Sequence, residues 1–139
     1  MKIKEWHSSK VAISLKAVAF NNNGKILVLQ RLKEDYSRPM GWDLVGGGLD
    51  KYEDPTEGIK REIKEETDLE VTDVRPIDIT SFKEEDGCFT VMIGFSAMAI
   101  TSNVKLSSEH IAFKWLTPEE ILNLDIPDIY KKFIRSATT

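Results

Sequence analysis

Apolar residues recur in runs of strand length over both halves of the chain. Ile13 to Phe20 and Lys25 to Gln30 read as strands around the polar turn Asn21-Asn22-Asn23-Gly24. Val71 to Phe82 and Phe89 to Ile100 read as two longer strands around Glu84-Glu85-Asp86-Gly87, followed by a short strand at Ala112 to Leu116. Between these sets the pattern changes. Gly46-Gly47-Gly48 reads as a loop, and Asp54-Pro55-Thr56-Glu57 reads as a helix start: Asp54 can cap, Pro55 suits the first helical position, and Glu57 completes a capping-box-like pair. Thr117-Pro118-Glu119-Glu120 opens a further helix in the same way, and Asp128 to Ser136 supplies a last one. A mixed sheet with helices packed on it, an α/β fold, accommodates these elements.

The helix predicted from Pro55 carries the most informative chemistry. Glu62, Glu65 and Glu66 are three and four residues apart, so they fall within roughly 100° of arc on one face. Taken alone, a helix that also holds Lys60, Arg61 and Lys64 reads as a solvated charged face. Its surroundings change that reading. Ile59 and Ile63 give a buried edge beside the carboxylates, Gly58 removes bulk where a ligand or loop can approach, and the glycines lie at a fixed distance upstream. An alanine at position 58 should be tolerated, because it adds one methyl and reduces unfolded-state entropy. Backbone groups of such glycines can come close to phosphate oxygens or a metal. Clustered hard oxygen donors suit Mg²⁺ or Mn²⁺, ions that serve with phosphate substrates.

The stretch Gly47 to Leu69 resembles the signature box of the Nudix hydrolases, Gly-x5-Glu-x7-Arg-Glu-U-x-Glu-Glu-x-Gly-U with U aliphatic. Gly47, Glu53, Arg61, Glu62, Ile63, Glu65, Glu66 and Leu69 match at the correct spacing. The flanks agree too, with Val28-Leu29-Gln30-Arg31 and Trp42 upstream and Trp115-Leu116 with Pro118-Glu119-Glu120 downstream. Two positions depart from the pattern. Asp68 replaces the usual glycine at the helix end, where a left-handed residue is needed and Asp is tolerated better than most, so the turn should survive. Val45 replaces the proline that often precedes the paired glycines, which touches no carboxylate.

The resemblance implies a Nudix-like α/β/α sandwich with a mixed β-sheet, and a metal-dependent enzyme that hydrolyses a phosphoanhydride in a nucleoside diphosphate linked to another moiety. It implies a catalytic set of Glu53, Arg61, Glu62, Glu65 and Glu66. The metal ligands would be Glu62, Glu65 and Glu66, the Gly46 carbonyl, and Glu109 from a later loop. Arg61 would pair with Glu53 or Glu65 and hold the ligand carboxylates in place. The base that activates water stays open between Glu62 and a loop acid such as Glu109. A nucleoside triphosphate is the favoured substrate, with ADP-ribose, a nucleotide sugar or a dinucleoside polyphosphate behind it. An RNA-cap substrate and an isomerase activity are disfavoured. A non-catalytic module that binds a nucleotide or a protein partner is the competing class, and the intact acidic set speaks against it.

Composition narrows the rest. With 139 residues and 41% hydrophobic content, the chain suits one compact domain over residues 1–139. A net charge of −4 disfavours nucleic acid as a partner, since such domains show a basic stripe. The expected partner is a small-molecule nucleotide or nucleoside diphosphate derivative; a homodimer is admitted and no membrane partner is expected. The polar, charged N-terminus and the lack of a long apolar run suggest neither signal peptide nor membrane span, making a cytoplasmic location the default. Cys88 is alone, which excludes an internal disulfide, and reads as a small residue in an apolar strand. Arg31 and Arg38 flank the segment before the glycines and can hold phosphate. Phe95, Phe113 and Trp115 read as core, and Trp42 is left open between core and base stacking. His7 and His110 lack ligand spacing and read as surface or loop residues.

Overall fold

The first hairpin forms where polar side chains replace strand pairing. The Asn21 Oδ1 accepts the amides of Asn23 and Lys25, both at 3.0 Å, and Gly24 takes φ +73° to close the turn. The structure, a computed structural model, describes residues 10–139. Among these the chain runs β1 (Val11–Phe20), β2 (Ile26–Arg31), β3 (Trp42–Gly48), α1 (Pro55–Thr67), β4 (Val71–Lys83), β5 (Phe89–Ala99), β6 (His110–Leu116), α2 (Pro118–Leu122) and α3 (Asp128–Thr138). His7 lies outside the described residues. No helix among them is long and apolar enough to cross a membrane.

The glycine segment is a strand, not a loop. Gly46, Gly47 and Gly48 end β3, whose register against β1 is Ser14↔Gly48, Leu15↔Gly47, Lys16↔Gly46 and Ala17↔Val45. Strand propensity argues against three consecutive glycines, but pairing on β1 outweighs it. β1 and β2 meet at Phe20↔Ile26, and β3 then runs between them, paired to both. The sheet order is β4-β5-β1-β3-β2-β6. β1 and β5 are parallel and the other pairs antiparallel, which makes the sheet mixed.

Two apolar layers enclose that sheet. On one face Ile59 and Ile63 of α1 pack with Leu15, Leu27, Leu29, Val45 and Phe95; on the other, Ile121 of α2 and Phe133 and Ile134 of α3 pack with Val18, Ile26, Val28 and Leu44. Each such side chain, once fully buried, contributes about 1.5–3 kcal/mol. The result is the α/β/α sandwich with a mixed sheet that the resemblance implied. Both short-range helix starts form. Asp54 accepts the Glu57 amide at 3.1 Å, although the Glu57 carboxylate turns to Lys60 at 3.7 Å and leaves the box half made. Thr117 and Glu120 complete a full reciprocal box at α2.

Several surface assignments come out differently. Phe113 is exposed on β6, an edge strand, whereas Phe95 is buried. Trp115 is half-buried, with its indole N–H unpaired among the described residues. Cys88 lies in the turn before β5 rather than within the strand, since Phe89 is the first residue to pair. His110 begins β6, half-buried opposite Arg31, with Nδ1 buried and without a partner among the described residues. Burial pushes its imidazole below the ordinary range.

Candidate active site

α1 delivers its acids to one place because its two ends are held. Asp54 caps the first turn; at the other end Asp68 adopts φ 62° and its amide donates to the Lys64 carbonyl at 2.9 Å, so the left-handed turn forms without glycine. The segment after β5 is then hung on this helix end. The amides of Lys105 and Ser107 donate to the Thr67 and Glu66 carbonyls at 2.9 and 3.1 Å, which brings Glu109 across from the helix.

A cavity of about 470 Å³ results, lined by Gly46, Gly47, Glu62, Glu65, Glu66 and Glu109, among others. Of the residues expected at the site, these converge. A hollow of similar size between β4, β5 and α3 contains one carboxylate, Asp73, and no converging set. Glu66 is 5% exposed, and its Oε1 accepts the Gly46 amide at 2.8 Å. Burial pushes its carboxyl up to about 7, against the pull of Lys16 and the Gly46 hydrogen bond. Burial raises Glu62 too, although Arg61 opposes it. A Cβ on Gly47 would stand 2.6 Å from Glu62 Oε2, so the carboxylate rests directly on that glycine backbone.

Arg61 binds Glu53 through two nitrogens, Nε to Oε2 at 2.7 Å and Nη2 to Oε1 at 2.9 Å. Its Nη1 donates to Glu62 at 3.0 Å and Glu65 at 3.1 Å, and Nη2 also reaches the Gly48 carbonyl at 3.1 Å. This fork therefore ties β3, the connecting loop and two turns of α1 together. It holds the Glu53 carboxyl at about 2, well below its ordinary range. Gly58 serves the same junction. It is buried, and a Cβ there would lie 2.8 Å from Glu53 Oε1, 2.9 Å from Leu15 and 3.0 Å from Leu49. The connecting loop approaches this glycine through the ends of flexible side chains, which can shift to admit a methyl but leave no room for a larger side chain.

A divalent cation fits this donor set. The converging groups are hard oxygens, and a buried carboxyl driven toward neutrality lacks the positive charge that a bound cation supplies. Among the described residues no three acidic, imidazole or thiol groups already close into a cage. Arg61 compensates Glu62 and Glu65, and the Gly46 carbonyl accepts the Lys16 ammonium at 3.3 Å.

The arginines expected on phosphate are engaged with protein. Arg31 donates to Asp43 at 2.6 Å and to Asp35 at 3.1 Å; Arg38 donates to the Trp42 carbonyl at 2.6 Å and to Asp43 at 3.4 Å. Arg31 still lines a second cavity of about 360 Å³, with Lys16, Asp35, Asp43 and His110, which shares Gly46, Glu66 and Glu109 with the first. Arg38 lines neither. Trp42 packs half-buried on the α3 side beneath the Lys114 ammonium, 5.1 Å from its ring. Sequence reasoning missed Lys16 and Asp43, 9% and 2% exposed. Their signal was a lone charge in each of two apolar strands.

Comparison with known proteins agrees with this geometry. Nucleoside triphosphatase NudI of Escherichia coli is 27% identical over 124 residues, covering 82% of this chain and 88% of that protein. The crystal structure of a MutT protein from Methanosarcina mazei Go1 superposes with a TM-score of 0.79 at 29% identity, covering 94% of this chain and 97% of that one. The NUDIX domain of Shewanella oneidensis NrtR, solved with ADP ribose, shares the fold with a TM-score of 0.77 at 17% identity, covering 99% and 97%. A family model described as the NUDIX domain matches residues 11–137. With nearly its whole described length matched and three of the box acids gathered in one cavity, the chain belongs to the Nudix hydrolase family.

Proposed function

We propose that this protein hydrolyses a phosphoanhydride bond in a nucleoside diphosphate linked to another group, and that its substrate is a nucleoside triphosphate. The observation that carries the reaction class is the convergence of Glu62, Glu65 and Glu66 with Glu109 across one cavity. The nucleoside triphosphatase relatives support the substrate class. Divalent-metal dependence is general in this family, and Mg²⁺ or Mn²⁺ is the ion these hard oxygens suit. Glu62, Glu65, Glu66 and Glu109 are the groups that would hold it; the Gly46 carbonyl could join them only through the lone pair that Lys16 leaves free. When bound, such an ion neutralises the diphosphate and stabilises the charge that develops on the leaving oxygen.

The chain's own groups do the rest. Arg61 fixes the rotamers of Glu53, Glu62 and Glu65 through its fork and faces carboxylates rather than substrate. Glu62 and Glu109 both line the cavity, and either can take the proton from an attacking water. Arg31, lining the adjoining cavity, is the cation placed to meet a phosphate or the nucleoside end; Arg38 braces Asp43 and the Trp42 carbonyl behind it.

A panel of nucleoside triphosphates, ADP-ribose, nucleotide sugars and dinucleoside polyphosphates, assayed for phosphate or pyrophosphate release with Mg²⁺ and with Mn²⁺, tests the reading. Glu66→Gln should lower turnover by at least about 100-fold while the fold persists, because it removes a charge from the set that faces the diphosphate. Full activity in excess EDTA would exclude the metal-dependent mechanism. Tight binding of a nucleotide with no turnover of any compound would favour the non-catalytic module.

A further inference from the structure

Lys16 is the only charged residue of β1 and is 9% exposed. A buried ammonium is costly unless every proton has an acceptor. Here the Nζ donates to the Leu44 carbonyl at 3.2 Å and the Gly46 carbonyl at 3.3 Å, stands 4.0 Å from Asp43 Oδ1, and lies 5.6 Å from the centre of the Tyr130 ring. Two of these acceptors are alternate carbonyls of β3. The ammonium therefore spans the segment that ends in Gly46.

That segment has an unusual geometry. Gly46 takes φ +141°, and a Cβ there would stand 2.0 Å from the Leu15 carbonyl oxygen. Only glycine fits. Its amide donates to Glu66 Oε1 at 2.8 Å. One residue is thus gripped at its carbonyl by Lys16 and grips Glu66 with its amide, linking β1 to α1 through β3.

We propose that Lys16 is a positioning residue: by holding the Leu44 and Gly46 carbonyls it keeps the Gly46 amide aimed at Glu66, and so keeps that carboxylate turned into the cavity. The proposal rests on the reading of Glu66 as a working group of a hydrolase, but its geometric content is testable without turnover. A lysine that merely neutralised Asp43 would leave Gly46 and Glu66 where they are when removed, because Arg31 and Arg38 also bind Asp43.

The test is Lys16→Met, which keeps the length of the side chain and removes its donors. The exchange rate of the Gly46 amide, measured against the Phe95 amide of β5 as an internal reference, should rise by about tenfold or more, with Mn²⁺ alone binding more weakly by electron paramagnetic resonance titration and kcat lower by about 10- to 100-fold at little-changed KM. Unchanged Gly46 exchange with wild-type kcat would overturn the proposal. So would tighter Mn²⁺ binding, which would show that Lys16 acts only as an opposing charge. If Lys16→Met fails to fold, Lys16→Met combined with Asp43→Asn removes the buried charge that has lost one of its three cations and must show the same loosening of Gly46. Absence of turnover by the unaltered protein on every nucleotide would refute the hydrolase reading, while Gly46 exchange would still decide the role of Lys16.

Discussion

Arg61 shows how much a single side chain can organise when its geometry is planar and rigid. Its guanidinium meets Glu53 with two parallel hydrogen bonds and still reaches Glu62, Glu65 and the Gly48 carbonyl, a reach that a lysine point charge cannot reproduce. Because these contacts orient carboxylates, Arg61→Ala should depress kcat by about 10- to 100-fold and leave KM nearly unchanged. Steady-state kinetics on the preferred nucleotide checks this; a large rise in KM at constant kcat would put Arg61 on the substrate. The spacing of Arg61 to Glu53 and Glu65 was legible in the chain, but the hydrogen bond to Gly48 was not, since it needs β3 to end beside the helix.

α1 is set by signals that lie next to one another. Asp54, Pro55 and Asp68 mark both ends, and Ile59 and Ile63 mark the face that packs on the sheet. Gly58 is the exception, a residue whose role depends on what the neighbouring loop does. Alanine would gain about 1 kcal/mol of helix propensity over glycine. Its methyl would meet only the ends of the Leu15, Leu49 and Glu53 side chains, which can shift, whereas a leucine there would overpack the junction at about 1–3 kcal/mol. Gly58→Ala should therefore keep both stability and turnover, while Gly58→Leu should lower stability by roughly 1–3 kcal/mol and impair turnover through the displaced Glu53. Denaturant unfolding alongside a kcat measurement reads both; a stabilised, fully active leucine variant would show that the loop yields without consequence.

Over the whole molecule the acidic cavity opposes the fold that builds it. The Glu66 carboxyl is pushed up from 4.5 to about 7 by burial, so between these values the native state binds more protons than the unfolded chain, and stability falls as pH rises. The penalty is absent below the lower value and complete above the upper one; at about 1.4 kcal/mol per unit it is on the order of 3 kcal/mol. Glu66→Gln keeps an acceptor for the Gly46 amide and removes the titration. The metal-free variant should have a higher Tm than the unaltered protein at pH 8 and nearly the same Tm at pH 5, in a thermal melt with chelator. An equal Tm at both pH values would mean that Glu66 stays ionised at little expense.

The sequence alone determined α1, its caps, the strands around Asn21–Gly24 and Glu84–Gly87, and the spacing of Glu53, Arg61, Glu62, Glu65 and Glu66, because all of these depend on residues within a few turns of each other. Tertiary structure decided everything that joins distant segments. Strand pairing with β1 made a strand of Gly46–Gly48, and backbone hydrogen bonds from Lys105 and Ser107 to the end of α1 brought Glu109 to the cavity. Packing left Phe113 exposed on an edge strand and buried Lys16 against carbonyls on β3, residues 28 and 30 positions along the chain. No periodicity encodes such contacts: which backbone oxygen a buried ammonium finds is set by the order of strands in the sheet, and that order is a property of the assembled core.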